Sequence, residues 1–200
     1  MIRKNLISLF LFISLITLGI ANLHAQRELP IGSIAPNINA STYKGEQFSL
    51  EEAVKQGPVV LVFYRGQWCP HCNRHMSALQ DSLNQITALG GQVIAITPEM
   101  PDRIEKTVNK TDASFRIIYD ENHKIMDDYE VTFKLQGGKN FIYTLGGINI
   151  NKANGNNDRV LPVPATYIIG KGKSIKGSYF NEDYSKRMPV RDIIDILRSL

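Results

Sequence analysis

An apolar run that leads directly to a pair of cysteines places the tightest constraint on the fold. Residues 59–64 are Val-Val-Leu-Val-Phe-Tyr, which are mostly β-branched or aromatic. Such a run is typical of a strand buried on both faces, as in a parallel sheet. The motif Cys-Pro-His-Cys follows at residues 69–72, and apolar residues then recur at steps of three and four as far as Leu89. The pattern predicts a strand, a short loop and a helix that ends at the glycines of residues 90–91.

The rest of the chain alternates between predicted strands and helices. The predicted strands are two short ones within residues 37–49 and single ones at 93–97, 115–119, 165–169 and 175–180, and helices are predicted at 50–55, 104–108, 125–129 and 193–197. Residues 136–160 are rich in Gly and Asn and predict a surface excursion. We therefore expect one α/β domain over residues 26–200, with a central mixed sheet flanked by helices and an N-terminal strand extension.

The N-terminus has the pattern of a secretory signal peptide. Arg3 and Lys4 precede a largely apolar stretch, and the small residue Ala25 stands before Gln26. We expect cleavage after residue 25 and export to the periplasm or the extracellular space. The alternative is an uncleaved membrane anchor, although the strongly apolar part is shorter than the ~20 residues that a membrane span needs. Cysteines in an exported protein can be oxidised.

The charge balance argues against a nucleic-acid partner. The whole chain has 23 Lys and Arg against 19 Asp and Glu, and a chain that starts at Gln26 has 21 against 19, a net charge of +2. Nucleic-acid binding needs a basic stripe. The lysines around residues 171–176 cluster with glycines and indicate a solvated turn.

The chemistry of the chain lies in its two cysteines, Cys69 and Cys72. Pro70 suits the first position of a helix because it lacks an amide hydrogen, and this places Cys69 at the N-cap. The positive end of the helix stabilises a thiolate, so we expect Cys69 to have the lower pKa and to react faster. Cys72 shares the apolar stripe of the helix and is expected to be more buried. A Cys-x-x-Cys pair at the start of a helix favours a redox enzyme.

Other roles for the motif rest on fewer residues. An inert structural disulfide is one alternative. Zinc would need His71 and His75 as ligands together with both thiols, whereas these histidines are expected to face solvent. His71 lies between the two sulfurs in sequence, where its imidazolium form would favour a thiolate. A copper-delivery module would combine both thiols with His123. Trp68 is expected to lie between core and rim, where it shields the disulfide.

Several segments together resemble the peroxiredoxin-like branch of the alkyl hydroperoxide reductase/thiol-specific antioxidant (AhpC/TSA) family. They are residues 32–36, 64–72, 97–99, 120–122 and 161–169, and Asp183-Tyr184 with Arg187. The resemblance covers roughly residues 29–200. It implies a thioredoxin-like fold and a peroxidase recycled by a thioredoxin-type reductant. It also implies that Pro164 is a cis-proline facing the two cysteines.

The motif departs from the usual peroxiredoxin pattern Pro-x-x-x-Thr/Ser-x-x-Cys. In that register Arg65 replaces the proline, Cys69 replaces the threonine and Cys72 is the attacking cysteine, while Pro164 stands near the place of the usual downstream arginine. Arg65 could supply positive charge instead. The Pro-His spacer resembles that of the periplasmic oxidant DsbA, so disulfide exchange on protein substrates stays open beside peroxide reduction. Neither reaction needs a metal or an organic cofactor.

Overall fold

The computed structural model describes residues 27–200, apart from the side chains of residues 139–142. The predicted signal peptide therefore lies outside the described residues. Of the helices that the structure describes, none has the length and apolar character needed to cross a membrane.

A five-stranded mixed sheet forms the centre of the molecule, in the order β5-β4-β3-β8-β9. The strands are β1 (Asn39–Ser41), β2 (Gln47–Ser49), β3 (Val59–Phe63), β4 (Gln92–Thr97), β5 (Arg116–Tyr119), β6 (Thr132–Lys134), β7 (Val160–Pro162), β8 (Ala165–Ile169) and β9 (Ile175–Phe180). Strand β3 pairs in parallel with β4 and antiparallel with β8. Every residue of β3 is buried, as the apolar run predicts. The short ribbon β1–β2 supplies the expected N-terminal extension.

Helices cover both faces of this sheet. They are α1 (Leu50–Gln56), α2 (Pro70–Asp81), α3 (Leu83–Ala88), α4 (Pro101–Thr111), α5 (Lys124–Asp128), α6 (Gly138–Leu145), α7 (Ile150–Asn154) and α8 (Val190–Arg198). One core cluster joins α1 and α5 to one face of the sheet, and a second joins α2, α4 and α8 to the other. The thioredoxin-like fold is confirmed, with both cysteines in the second cluster.

Two local predictions differ from the structure. The helix expected to run from Cys72 to Leu89 is divided at Ser82, whose ψ of 4° leaves the helical range. Serine and the preceding aspartate both have low helix propensity, which favours a break in the helix at that point. The apolar stripe nevertheless continues, because Leu79 and Ile86 are both fully buried.

The predicted surface excursion, residues 136–160, is more ordered than its composition indicates. It holds α6 and α7, and it ends in β7, which pairs with β6. Leu135, Ile150 and Leu161 form a small buried cluster of their own, against which Trp68 packs. These apolar residues give the segment a core, and they bring it over the cysteine motif.

Candidate active site

The two cysteines stand where β3 passes into α2. Cys69 is the N-cap residue, and its Sγ accepts a hydrogen bond from the backbone N–H of Cys72 at 3.4 Å. Pro70 occupies the first turn, where its missing N–H leaves no donor unsatisfied. Cys72 is fully buried, whereas Cys69 is 2% exposed and lines a cavity. The local geometry that the sequence predicts is thus present.

Arg187 brings a positive charge to the sulfur atoms. Its Nη2 lies 3.0 Å from Cys72 Sγ and 3.9 Å from Cys69 Sγ. Its Nη1 donates to the carbonyl oxygens of Tyr184 and Lys186, at 2.7 and 2.5 Å. These backbone contacts fix the guanidinium, so that it points at Cys72.

The order of the two thiol pKa values is the reverse of the one expected from helix position. Burial alone would raise the pKa of Cys72, but the hydrogen bond from Cys69 and the charge of Arg187 outweigh it and lower that pKa to about 6. The hydrogen bond with Cys72, together with burial, raises the pKa of Cys69 above its ordinary value. The expectation that Cys69 has the lower pKa is therefore wrong, because the hydrogen bond between the two thiols, followed by the charge of Arg187, favours the thiolate on Cys72.

Arg65 lies at the base of the cavity that Cys69 lines. Its side chain is only 2% exposed, and burial lowers the pKa of the guanidinium. Four aromatic rings surround it at centroid distances of 4.9 to 5.9 Å; they are Trp68, Phe133, Tyr143 and Tyr184. Cation–π contacts of this kind contribute roughly 0.5–2 kcal/mol each. The positive charge that Arg65 was expected to supply is thus present beside the motif, although Arg187 is the arginine that contacts the sulfur atoms.

Pro164 lines the same cavity, but the expected cis Val163–Pro164 bond is wrong. The described residues contain no cis peptide bond. Trans geometry fits the neighbouring pairing, since the N–H of Val163 donates to Val131 and the carbonyl of Pro164 accepts from the N–H of Asn181. The extended chain therefore runs from β7 into β8 with its backbone groups satisfied on both sides.

The three histidines considered for catalysis or metal binding do not converge. His75 is buried and donates from Nε2 to the carbonyl of Met188 at 3.1 Å, so the expectation that it faces solvent is wrong. His71 accepts from Arg74 at 2.7 Å, and burial and that arginine lower the pKa of His71, which disfavours the imidazolium. His123 contacts Asp158 at 3.3 Å. Within residues 27–200, no group of three metal-binding side chains is placed to hold an ion, and the copper and zinc alternatives are not favoured.

Glu99 is a buried carboxyl group that the sequence analysis named only within the resembling segment 97–99, without a role. Its Oε2 accepts from the backbone N–H of Gln67 at 2.7 Å, while Oε1 is buried without a hydrogen-bond partner. Burial raises the pKa of Glu99 to about 8. Gly66 has a φ of +146° and packs so closely that a Cβ there would lie 2.7 Å from both Glu99 Oε1 and Trp68 Nε1. Glu99 thus fixes the loop that leads to Cys69.

A signal for Glu99 was available in the topology, whereas none was available for Arg187. Strands β3 and β4 are parallel neighbours, so their carboxyl ends meet at one edge of the sheet, and Glu99 follows β4 there as Cys69 follows β3. Arg187 lies 115 residues after Cys72 in an irregular segment, and no periodicity connects the two. Only the resemblance drew attention to that segment.

The chain is similar in sequence to known peroxiredoxins. The chain is 29% identical to peroxiredoxin Bcp of Escherichia coli (strain K12) over 104 residues, which are 52% of this chain and 65% of that protein. It is 25% identical to the chloroplastic peroxiredoxin Q of Oryza sativa subsp. japonica over 169 residues, covering 84% of this chain and 67% of that one. The match to Bcp therefore spans slightly less than two thirds of the relative's length.

Solved structures show the same fold at low sequence identity. The crystal structure of peroxidoxin BcpB from Mycobacterium tuberculosis superposes with a TM-score of 0.67 at 13% identity, over 86% of this chain and 99% of that one. Xylella fastidiosa PrxQ gives a TM-score of 0.65 at 13% identity, over 86% and 98% of the two chains. The family model for AhpC/TSA matches residues 31–178, which include both cysteines and the whole central sheet apart from the end of β9. Motif, fold and family model agree, and the chain belongs to the AhpC/TSA family.

Proposed function

We propose that this protein is a thiol peroxidase that reduces hydroperoxides with Cys72 as the attacking thiolate and Cys69 as the resolving thiol. The observation that carries the proposal is the 3.0 Å contact between Arg187 Nη2 and Cys72 Sγ. A pKa of about 6 means that Cys72 is mostly ionised at neutral pH, as a peroxide-attacking sulfur must be. Membership of the AhpC/TSA family and the peroxiredoxin relatives support the same activity.

The reaction proceeds in two steps on the protein. The Cys72 thiolate attacks one oxygen of the hydroperoxide, the O–O bond breaks, and the departing oxygen takes a proton and leaves as an alcohol or water. Cys72 is then a sulfenic acid, and the Cys69 sulfur displaces its hydroxyl group as water to give the Cys69–Cys72 disulfide. Arg187 supports the first step by stabilising the thiolate and the negative charge that develops on the departing oxygen. A reductant of the thioredoxin type, as the family implies, then restores both thiols.

The burial of Cys72 adds a requirement for this mechanism. Its side chain has no exposed surface, so a peroxide reaches it only after a local opening. The irregular residues 181–189, which carry Arg187, cover the sulfur atoms from one side. We therefore expect access to depend on motion of this segment, and we expect small hydroperoxides to react faster than bulky ones.

Single-cysteine variants test the assignment. Hydrogen peroxide added to reduced Cys69→Ser should give a sulfenic acid on Cys72, which dimedone traps and fragmentation of the labelled peptide locates. Reduced Cys72→Ser should react no faster than a free thiol of the same pKa. Dimedone on Cys69 in the second variant, formed at the wild-type rate, would reverse the roles of the two sulfurs. A wild-type protein that reacts no faster than the free thiol, but that transfers its disulfide efficiently to a reduced unfolded protein, would make it a disulfide oxidoreductase.

A further inference from the structure

The cavity beside Cys69 has the features of a small-molecule site. Its volume is about 540 Å³, within the range of roughly 300–1,000 Å³ that is common for ligand sites. Aromatic and aliphatic side chains form most of the wall, and Arg65 supplies the buried charge at its base. We call it the Arg65 cavity; it is lined by Arg65, Trp68, Cys69, Phe133, Tyr143 and Tyr184, with further residues at the rim.

The Arg65 guanidinium has no carboxylate partner among the side chains that the structure describes, and the nearby groups that can carry a negative charge are Cys69, Cys72 and Tyr184. Nε is buried with no hydrogen bond, and no hydrogen bond or ion pair joins the guanidinium to any side chain that the structure describes. The guanidinium lies over aromatic rings, and these rings do not provide acceptors for its N–H groups. A buried charge is normally paired, because desolvation without a partner is unfavourable. Arg187, by contrast, donates to two carbonyl groups and a sulfur. The unpaired donors of Arg65 therefore indicate a ligand with a carboxylate or a similar anion.

The sulfur that meets this ligand is Cys69. Cys69 lines the cavity, whereas Cys72 is fully buried outside its wall. In the oxidised protein, a thiol that enters the cavity would attack Cys69 and displace Cys72. This direction is also favoured chemically, since the sulfur with the lower pKa is the better leaving group in thiol–disulfide exchange. Position and reactivity both assign the cavity to the reduction step.

We propose that the Arg65 cavity binds a small thiol that carries a carboxylate on an apolar body, and that this thiol, as a second route beside a reductant of the thioredoxin type, reduces the Cys69–Cys72 disulfide by attack at Cys69. The inference rests on the proposed function, because peroxide turnover is what forms the disulfide. The thiolate forms a bond to Cys69 Sγ, the Cys69–Cys72 bond breaks, and Cys72 leaves as a thiolate. A second molecule of the thiol attacks the mixed disulfide, releases the oxidised thiol as its own disulfide, and leaves Cys69 to take a proton from solvent.

The cavity rim contains one opposing charge. Glu182 is exposed, lines the cavity and forms no ion pair with any described residue. The Glu182 carboxylate repels an anionic ligand that enters the cavity, but water and salt screen this repulsion. The attraction of the buried Arg65 for the same ligand is screened much less. Glu182→Gln should therefore speed entry of an acidic thiol by a small factor, about twofold at low salt. Its effect is opposite in sign to that of removing Arg65.

The test compares two thiols that share an aromatic body and differ in charge. The disulfide is formed with diamide rather than peroxide, so that the experiment does not depend on peroxidase activity. The oxidised protein is mixed with 4-mercaptobenzoate or with its methyl ester, at equal thiolate concentrations, and protein thiols released over time are alkylated and counted by mass spectrometry. We expect the acid to react at least about tenfold faster than the ester with the wild type. This ratio should fall to near one in Arg65→Met and stay at its wild-type value in Arg74→Met, which removes an exposed arginine near the rim. Arg65→Lys should restore part of the preference.

Several results would overturn the inference. A wild-type ratio near one refutes it without any variant, and so does a ratio that survives Arg65→Met. A mixed disulfide located on Cys72 rather than Cys69 refutes the direction of attack. A parallel experiment on the oxidation step compares the rates at which cumene hydroperoxide and its 4-carboxylate oxidise the reduced protein. An acid preference there, with none in reduction, would assign the cavity to the peroxide substrate. If the thiol preference stands while peroxide oxidation is slow, the proposed function fails and the binding site remains.

Discussion

Removing the charge of Arg187 should raise the pKa of Cys72 and slow its reaction below neutral pH. At the observed 3.0 Å, Coulomb's law with an effective dielectric of ~20 gives an upper bound of about 5.5 kcal/mol. Arg187 is half-buried, so solvent screens part of this energy. Hydrogen bonds to charged groups contribute about 1.5–3 kcal/mol, which corresponds to roughly one to two pKa units. Arg187→Gln should therefore raise the pKa of Cys72 from about 6 to about 7 or 8.

The ultraviolet absorbance of the thiolate measures this pKa directly and needs no access to the buried sulfur. The difference in absorbance between reduced and oxidised protein is titrated with pH for the wild type and for Arg187→Gln. At pH 6 the thiolate fraction should fall from about one half to between about 1% and 10%, and the rate with hydrogen peroxide should fall at least as far. Arg191→Gln removes an exposed arginine from α8 and serves as the charge-matched control. A Cys72 titration midpoint that is the same in Arg187→Gln as in the wild type would refute the role of Arg187.

Three further predictions concern pH and processing. Burial raises the pKa of Glu99 to about 8 from an ordinary 4.5, so its stabilising contribution is complete below pH 4.5 and declines as the pH rises to 8. In Glu99→Gln the free energy of unfolding, measured by urea titration, should lose this decline of up to about 5 kcal/mol. Burial and the nearby Arg187 lower the pKa of His75 to about 4 from an ordinary 6.5, so its stabilising contribution is complete above pH 6.5 and disappears as the pH falls towards 4. In His75→Asn the free energy of unfolding should therefore fall by up to about 3 kcal/mol less than in the wild type over this pH range. A steeper or unchanged slope in either variant would contradict the corresponding sign. Intact-mass analysis of exported protein should show a chain that begins at Gln26, and a mass that retains residues 1–25 would indicate an anchor instead.

Local patterns predicted the elements that carry the cysteines, and they failed for contacts between distant segments. The apolar run of residues 59–63 is typical of a buried strand, and Pro70 marks the start of a helix, so the place of Cys69 at the N-cap followed from neighbouring residues. The relative pKa of the two thiols did not follow, because it depends on an arginine from the other end of the domain. The peptide bond before Pro164 likewise depends on partners in two other segments of the chain. Family likeness supplied the fold and, through its register, Cys72 as the attacking cysteine, whereas its expectation of a cis bond before Pro164 was wrong.

The distance between Arg187 and Cys72 along the chain affects how the thiols react before the protein is folded. The two residues are 115 positions apart, and they meet only when the central sheet and α8 are assembled. In an unfolded or partly folded chain, neither thiol has this arginine beside it, and both react as ordinary, mostly protonated thiols at neutral pH. Fast reaction with peroxide is therefore a property of the finished domain. The chain therefore reacts more slowly with peroxide while it is being made and folded, and its reactivity reports that folding is complete.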